Sequence, residues 1–227
     1  MSAFKAWLSQ LQFGYVGEVL IVVLASLLCI TFHECSHGFA AYKLGDPTAK
    51  RQGRLSLNPV KHVDIFGLVM MAVFKFGWAK PVPVDMRYFK SPKSGMAIVA
   101  LAGPLSNILL AYIALVIRAV VIFFLYGTNV GSIILSFLEY VALLSIGLAI
   151  FNIIPIPPLD GSKVLNALLP NRIYYKIMRY EHFGMLLLLA VMYFGLIDAP
   201  LFAVRTFVTN ILSRLAWFPY TILSSIF

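Results

Sequence analysis

The stretch that decides the fold is Val19-Leu-Ile-Val-Val-Leu-Ala-Ser-Leu-Leu-Cys-Ile-Thr-Phe32, which runs directly into His33-Glu34-Cys35-Ser36-His37. The first part carries no charge and predicts a membrane-spanning helix. A glutamate and two histidines at its end are costly in lipid unless something compensates them. On a helix the two histidines share one face, where neutral imidazoles can bind zinc. Glu34 can then accept a proton from a water that the metal activates. The stretch predicts a zinc hydrolase buried in a membrane.

Composition predicts a protein that crosses the membrane several times. The chain has 227 residues, of which 61% are hydrophobic, and its mean hydropathy is +0.90. These values exclude a soluble domain with one apolar helix. We therefore expect an all-α polytopic membrane protein with about 4–6 membrane segments. Residues 1–227 should form a single membrane-embedded domain, with little chain left over for a soluble one.

The positive charge of the chain is gathered in a few loops. Of the eighteen Lys and Arg residues, ten lie between Lys43 and Lys93 and four between Lys163 and Arg179. This is the positive-inside pattern, so these loops should be cytoplasmic and no nucleic-acid partner is expected. The two cysteines, Cys29 and Cys35, face different sides of one helix, and no structural disulfide is expected.

The apolar segments predict four helices or more. The first three are expected over about Val19–Tyr42, Gly95–Tyr126 and Ser132–Asn152. C-terminal helices should follow over residues 184–227, the first of them over about Gly184–Ile197. Between the first two spanning helices, the short apolar run within Arg54–Asp85 has positive charge on both sides. It predicts a re-entrant, partly extended hairpin, since Pro81 and Pro83 exclude a continuous helix.

A catalytic zinc usually takes three protein ligands and leaves a position for water. Asp160 is the candidate for the third, because it follows the third helix on its return to the cytoplasmic side. The basic loop after the motif places His33 and His37 on that same side. The Pro-rich segment before Asp160 exposes backbone groups, which a membrane tolerates only where they line a cavity or are covered by protein. The alternative is that Asp160 is only a turn residue before Gly161, since Asp-Gly is a common turn pair.

These motifs resemble the site-2 protease family of intramembrane metalloproteases, peptidase family M50. The resemblance rests on His33-Glu-Cys-Ser-His37 and on Asn152-Ile-Ile-Pro-Ile-Pro-Pro-Leu-Asp-Gly161, with Ala102-Gly-Pro-Leu-Ser-Asn107 as a further element, within residues 19–169. It implies one zinc per chain held by His33, His37 and Asp160, with Glu34 as general base. It also implies that Asn152 helps to hold the substrate or the oxyanion. The chain has no room for the PDZ or CBS domain of many relatives, so we expect a minimal form.

Four further polar residues have simpler interpretations. Asn107 is expected to make an interhelical hydrogen bond, and His62 to be a satisfied side chain at the membrane surface rather than a ligand. Arg118 and Glu139 stand at similar distances from the turn between the second and third helices. We predict that they pair, for structural rather than catalytic reasons.

The leading hypothesis is an intramembrane zinc endopeptidase that hydrolyses peptide bonds within or near transmembrane segments. Its partners would be such segments and the lipid bilayer. We expect a multi-pass protein of a cell membrane with the active site toward the cytoplasm. The resemblance implies a prokaryotic source. Two alternatives stay open: a membrane metal-binding protein or transporter that uses the same ligands, and a catalytically inactive relative.

Overall fold

The computed structural model describes residues 13–64, 67, 80–170, 173 and 181–226. Within these ranges the chain is helical, with short turns and extended links and no β-strand. We number the helices in chain order, and their bounds are α1 Phe13–Lys43, α2 Thr48–Arg51, α3 Pro92–Leu125, α4 Asn129–Ile153, α5 Asp160–Leu168, α6 Glu181–Tyr193, α7 Asp198–Ala216 and α8 Phe218–Ile226. The all-α prediction is confirmed.

Three of the described helices are long and apolar enough to cross a membrane: α1, α3 and α4. A fourth span is reached if the bent pair Phe183–Tyr193 and Asp198–Ile226 counts as one crossing. The two parts of that pair meet at 85°, so the straight helix expected over Gly184–Ile197 ends early. Gly195 adopts φ +64 just after α6, a left-handed conformation that favours glycine and stops a helix.

Local sequence explains where the long helices begin and end. After α1, Gly45 takes φ +105, which ends the helix because this conformation suits only glycine. Pro92 is the first residue of α3, where its missing N–H is not needed. The hydroxyl of Thr128 accepts a hydrogen bond from the Gly131 N–H at 2.9 Å and caps α4. The helix ends at Ile153, shortly before Pro155.

The core lies where α1, α3 and α4 pack together. Its buried side chains are mostly small or aliphatic, and comprise Ala25, Cys29, Leu110, Ala111, Ala114, Leu138, Val141, Ala142 and Ile146. Small residues let helix backbones approach closely, which is how helices associate in lipid. One polar contact reinforces the packing, because the Ser145 hydroxyl donates to the Cys29 sulfur at 3.1 Å.

Helix α7 runs along α3 and α4. Asp198 and Phe202, at its start, line a groove with Ile150 and Phe151 from the C-terminal end of α4. Shortly after α7, Tyr220 contacts the ring of Phe123 near the end of α3, with centroids 6.0 Å apart. The C-terminal segment therefore returns along the three-helix core.

The middle of the hairpin expected within Arg54–Asp85, at residues 65, 66 and 68–79, lies outside the described residues. Its two ends are described. The first contains a single 3-10 turn over Pro59–Lys61. The second is an extended link over residues 80–85, which passes beside α1 and reaches a 3-10 turn at Met86–Tyr88.

Candidate active site

Three side chains that the sequence singles out meet at one point inside the helix bundle. Nε2 of His33 lies 3.1 Å from Oδ2 of Asp160, and Nε2 of His37 lies 3.0 Å from the same oxygen. The three ligand atoms are within 4.8 Å of one another. All three side chains are buried, with 5%, 9% and 6% of their residue surfaces exposed. In the described part of the chain, this is the one His, Cys, Asp and Glu cluster that could hold a metal.

The hydrogen bond on the far side of His37 orients its ring. Nδ1 of His37 lies 2.7 Å from the backbone oxygen of Val99 on α3. That oxygen can only accept, so Nδ1 carries the hydrogen, and the neutral ring keeps its lone pair on Nε2. The Nε2 lone pair then faces the Asp160 carboxylate. Metal-binding histidines are held in this way by a partner on the other ring nitrogen.

The donor set fits a zinc ion. A lone pair on Nε2 of His37 and a carboxylate oxygen 3.0 Å away repel each other unless a proton or a metal ion lies between them. Two ligand atoms bound to one tetrahedral zinc at 2.0–2.1 Å are about 3.3 Å apart, close to the distances at this site. Two imidazoles and one carboxylate are also a common ligand set for catalytic zinc, which leaves a position for water.

Gly103 on α3 packs directly against both histidine rings. A Cβ atom at Gly103 would lie 2.5 Å from Cε1 of His37 and 2.6 Å from Cε1 of His33. Real Cβ atoms do not approach other atoms so closely, so only glycine lets α3 pack against the two rings. The family resemblance includes Ala102–Asn107, but it does not predict a role for Gly103. Spacing along α1 alone could not reveal this contact, because it depends on how α3 packs.

Asp160 is placed by a turn that brings α5 back onto the end of α4. It is the first residue of α5, and a Cβ atom at the next residue, Gly161, would lie 2.0 Å from the backbone oxygen of Ile153. The Lys163 ammonium is 3.2 Å from Oδ1 of Asp160, which leaves Oδ2 to the histidines. Burial would raise the pKa of Asp160, but when a proton lies between its carboxylate and the facing imidazoles, hydrogen bonds from His33 and His37, aided by Lys163, hold that pKa well below its usual range.

Glu34 is half-buried beside the histidines and is bonded to the extended link over residues 80–85. Its Oε2 accepts a hydrogen bond from the Val82 N–H at 3.0 Å. The carboxylate is thereby held at the site by a backbone donor, while its second oxygen has no protein partner among the hydrogen bonds of the described residues.

The other sequence candidates are not members of this cluster. The Asn152 side-chain amide donates to the backbone oxygen of Leu148 at 2.9 Å, on its own helix, so its substrate role stays a prediction. The His62 ring is fully buried and lies 2.8 Å from the Ser56 oxygen, outside the metal-binding cluster. The loop folds over the ring, and its expected place at the membrane surface stays a prediction.

The interhelical hydrogen bond expected for Asn107 is not formed. The residue is fully buried, and neither its Nδ2 nor its Oδ1 has a hydrogen-bond partner among the described residues. The pairing of Arg118 with Glu139 is present, with Nη2 and Oε2 at 3.2 Å. The helical hairpin of α3 and α4 brings the two charges to one level, as their distances from the turn predict.

A family model and individual relatives both match this chain, and they point to the same family. The sequence model of peptidase family M50 matches residues 119–194, from the end of α3 through α6. YwhC of Bacillus subtilis (strain 168), provisionally named a zinc metalloprotease, is 38% identical over 174 residues, 75% of this chain and 78% of YwhC.

More distant relatives carry similar names. MJ0611 of Methanocaldococcus jannaschii, also provisionally named a zinc metalloprotease, is 30% identical over 67% of this chain and 75% of its own. Rip2 of Mycolicibacterium smegmatis, named in the same way, is 27% identical over 65% of this chain and 57% of its own. No solved structure matches the chain significantly. An identity of 38% across most of both chains, together with the family match, leaves one conclusion: this protein belongs to peptidase family M50, the site-2 protease family, and is a zinc metalloprotease.

Proposed function

We propose that this zinc metalloprotease hydrolyses peptide bonds within or near transmembrane segments of other membrane proteins. The observation that carries the proposal is the position of the buried cluster. Its two histidines lie on α1. Helices α1 and α3 pack around them, and both are apolar enough to cross a membrane. A substrate that reaches these residues has to enter the same apolar surroundings. Single-pass membrane proteins are the class of substrate that fits.

Each residue of the cluster has a role in the proposed reaction. His33, His37 and Asp160 would hold the zinc ion, and Glu34 would act as general base. When bound, zinc supplies a Lewis acid that lowers the pKa of water and polarises a carbonyl group. Glu34 accepts the proton of the attacking water and passes it to the leaving amine. The bond from Val82 holds one of its oxygens and leaves the other for the water.

The substrate has to unwind before it can be cleaved. Carbonyl groups of a transmembrane helix are hydrogen-bonded within the helix and are not open to attack. A segment that contains glycine or proline is easier to open, because both residues disfavour a helix. We therefore expect cleavage near such residues. The positive charge around the motif end of α1 supports an active site on the cytoplasmic side of a multi-pass protein in a cell membrane.

A transporter is the alternative from another class. It would need charged or histidine side chains along a path through the membrane. In the described structure, the charges in the other half of α3 and α4 are Arg118 and Glu139, and these two pair with each other. Glu34 also has no use in transport. The structure gives no specific observation in favour of this alternative.

The test is cleavage of a model single-pass substrate by the purified protein in detergent or in liposomes. The wild type is compared with Glu34→Gln, and zinc is quantified in both. We expect about one zinc per chain in each protein and cleavage by the wild type alone. Mass spectrometry of the products then locates the cut, which should fall within or next to the apolar segment.

Two results would count against the proposal. Cleavage of soluble loops alone would leave a metalloprotease without the intramembrane activity. Equal cleavage by Glu34→Gln would remove Glu34 from the role of general base.

A further inference from the structure

We propose that Arg54 is a positioning residue for the catalytic base, which it holds in place through the backbone of Pro81-Val82-Pro83. This inference rests on the proposed function, in which Glu34 is that base. In the described part of the chain, no hydrogen bond or ion pair joins Arg54 to Glu34. Arg54 fixes the extended link over residues 80–85, and this link carries the N–H group that binds the Glu34 carboxylate.

The sequence of the link leaves one backbone donor at its centre. Pro81 and Pro83 have no N–H group, so Val82 provides the only one in this tripeptide. That N–H donates to Oε2 of Glu34 at 3.0 Å. The side chain of Val82 is also buried, with 8% of its surface exposed. The tripeptide is therefore rigid, because two prolines fix its backbone, and it presents a single donor to a single acceptor.

Arg54 binds the backbone immediately before this donor. Its Nη2 donates to the backbone oxygen of Lys80 at 2.6 Å and to that of Pro81 at 3.1 Å. The residue is buried, with 7% of its surface exposed, and no carboxylate pairs with it among the described residues. A buried guanidinium without a counter-ion is costly, so its place is explained by the two carbonyl groups that it binds.

Two other contacts anchor the link on either side of Val82. The Lys80 N–H donates to the backbone oxygen of His62 at 2.9 Å, and the Asp85 N–H donates to Oδ2 of Asp46 at 2.7 Å. Asp46 is fully buried. With Arg54, these contacts hold both ends of the link against the loops that follow α1. The position of the Val82 N–H is thus set by the protein and not by the substrate.

Positioning matters because a glutamate side chain has several rotatable bonds. Without a partner its carboxylate samples several rotamers, and only some of them face the attacking water. One charge-assisted hydrogen bond selects among these rotamers. The same contacts occupy most of the backbone donors of the link. The N–H groups of Lys80, Val82 and Asp85 are occupied, and Pro81 and Pro83 have none.

Hydrogen exchange measured by mass spectrometry tests the contact without any activity assay. Among residues 81–85, only Val82, Val84 and Asp85 carry amide hydrogens. We expect Glu34→Ala and Arg54→Met each to speed the exchange of about one of these amides by tenfold or more. The Asp85 amide, bound by Asp46, serves as the internal reference and should stay slow. Unchanged exchange in both variants would overturn the proposal.

Kinetics of the zinc-loaded enzyme provide the second test. Val82→Pro removes the N–H group, and Val82→Ala is the matched control that keeps it and trims the side chain. We expect kcat to fall about 10–100-fold in Val82→Pro and in Arg54→Met, with KM changed less than about threefold. Arg54→Lys can still donate to one carbonyl, so it should keep more activity than Arg54→Met.

The outcomes separate this inference from the proposed function. Zinc content should stay at the wild-type level in all four variants, and its loss in Arg54→Met would overturn the inference by placing Arg54 at the metal site. Equal losses in Val82→Pro and Val82→Ala would also overturn it, since the side chain would then be responsible. If the wild type cleaves no transmembrane substrate, the proposed function fails, and the exchange experiment still decides whether Arg54 positions Glu34.

Discussion

Replacement of Gly103 by alanine should disrupt the metal site without touching any ligand. Gly103 lies on α3, against the rings of His33 and His37 on α1. The substitution adds one methyl group and, in a helix interior, is otherwise favourable by about 1 kcal/mol. Any loss of zinc affinity therefore comes from the contact between that methyl group and the two rings.

The size of the effect follows from the distances. The new Cβ would lie 2.5 Å from Cε1 of His37 and 2.6 Å from its Nε2, where ordinary contacts begin at 3.4 Å. The rings or the helices have to move by close to an ångström. The His37 ring cannot turn freely, because its Nδ1 is bonded to the Val99 oxygen at 2.7 Å. The distances between zinc and its ligand atoms tolerate deviations of only about 0.2 Å. We expect zinc affinity to fall about 100-fold, or about 2.7 kcal/mol.

The assay is a zinc titration of the purified protein in detergent against a competing chelator. Gly147→Ala is the matched control, since Gly147 lies within α4 and a Cβ atom there would meet nothing within 4 Å. Its zinc affinity should stay within about twofold of the wild type, because nothing has to move. Thermal unfolding of both variants after removal of zinc shows whether the helix bundle itself is intact.

The reasoning would be refuted by a Gly103→Ala protein that binds zinc as tightly as the wild type. It would also be refuted if the Gly147→Ala control lost zinc to the same extent. In that case the effect would belong to helix packing in general and not to the contact with the rings.

Three further predictions concern other contacts. Lys163→Met should lower zinc affinity about 3–10-fold in the same titration, because Oδ1 of Asp160 loses its ammonium partner. Gly161→Ala should reduce bound zinc more severely, since its Cβ would meet a backbone oxygen at 2.0 Å; zinc content by mass spectrometry checks this, and full occupancy would contradict it. Arg118→Glu and Glu139→Arg should each lower the thermal unfolding temperature, and the double variant should regain most of the loss. A double variant no more stable than either single one would show that the pair contributes nothing.

Much of the site could be predicted from the sequence because its signals are local or depend on depth. His33, Glu34 and His37 lie within a single turn or so of one helix, and helical geometry alone places the two imidazoles on one face. Asp160 could be predicted as the third ligand because the third spanning helix returns to the side of the membrane on which the two histidines lie. The same logic of equal depth predicted the pair of Arg118 and Glu139.

The features that the sequence did not reveal depend on packing between distant segments. Gly103 is one of fifteen glycines, and nothing in its neighbours shows that two rings will lie on it. The contact of Val82 with Glu34 likewise joins residues 48 apart in sequence. The early end of α6 was missed for another reason. Its apolar run continues past Tyr193, and only the left-handed conformation of Gly195 marks the turn.

The separation of the ligands along the chain has a consequence for biosynthesis. Oδ2 of Asp160 approaches a histidine that precedes it by 127 residues. During synthesis, α1 enters the membrane with His33, His37 and Glu34 long before α5 exists. A nascent chain at that stage holds Glu34 and two of the candidate ligands but lacks the third. The ribosome has to complete α3, α4 and the turn before α5 before the donor set is whole, so a truncated product that ends before Asp160 has only two of the three candidate zinc ligands.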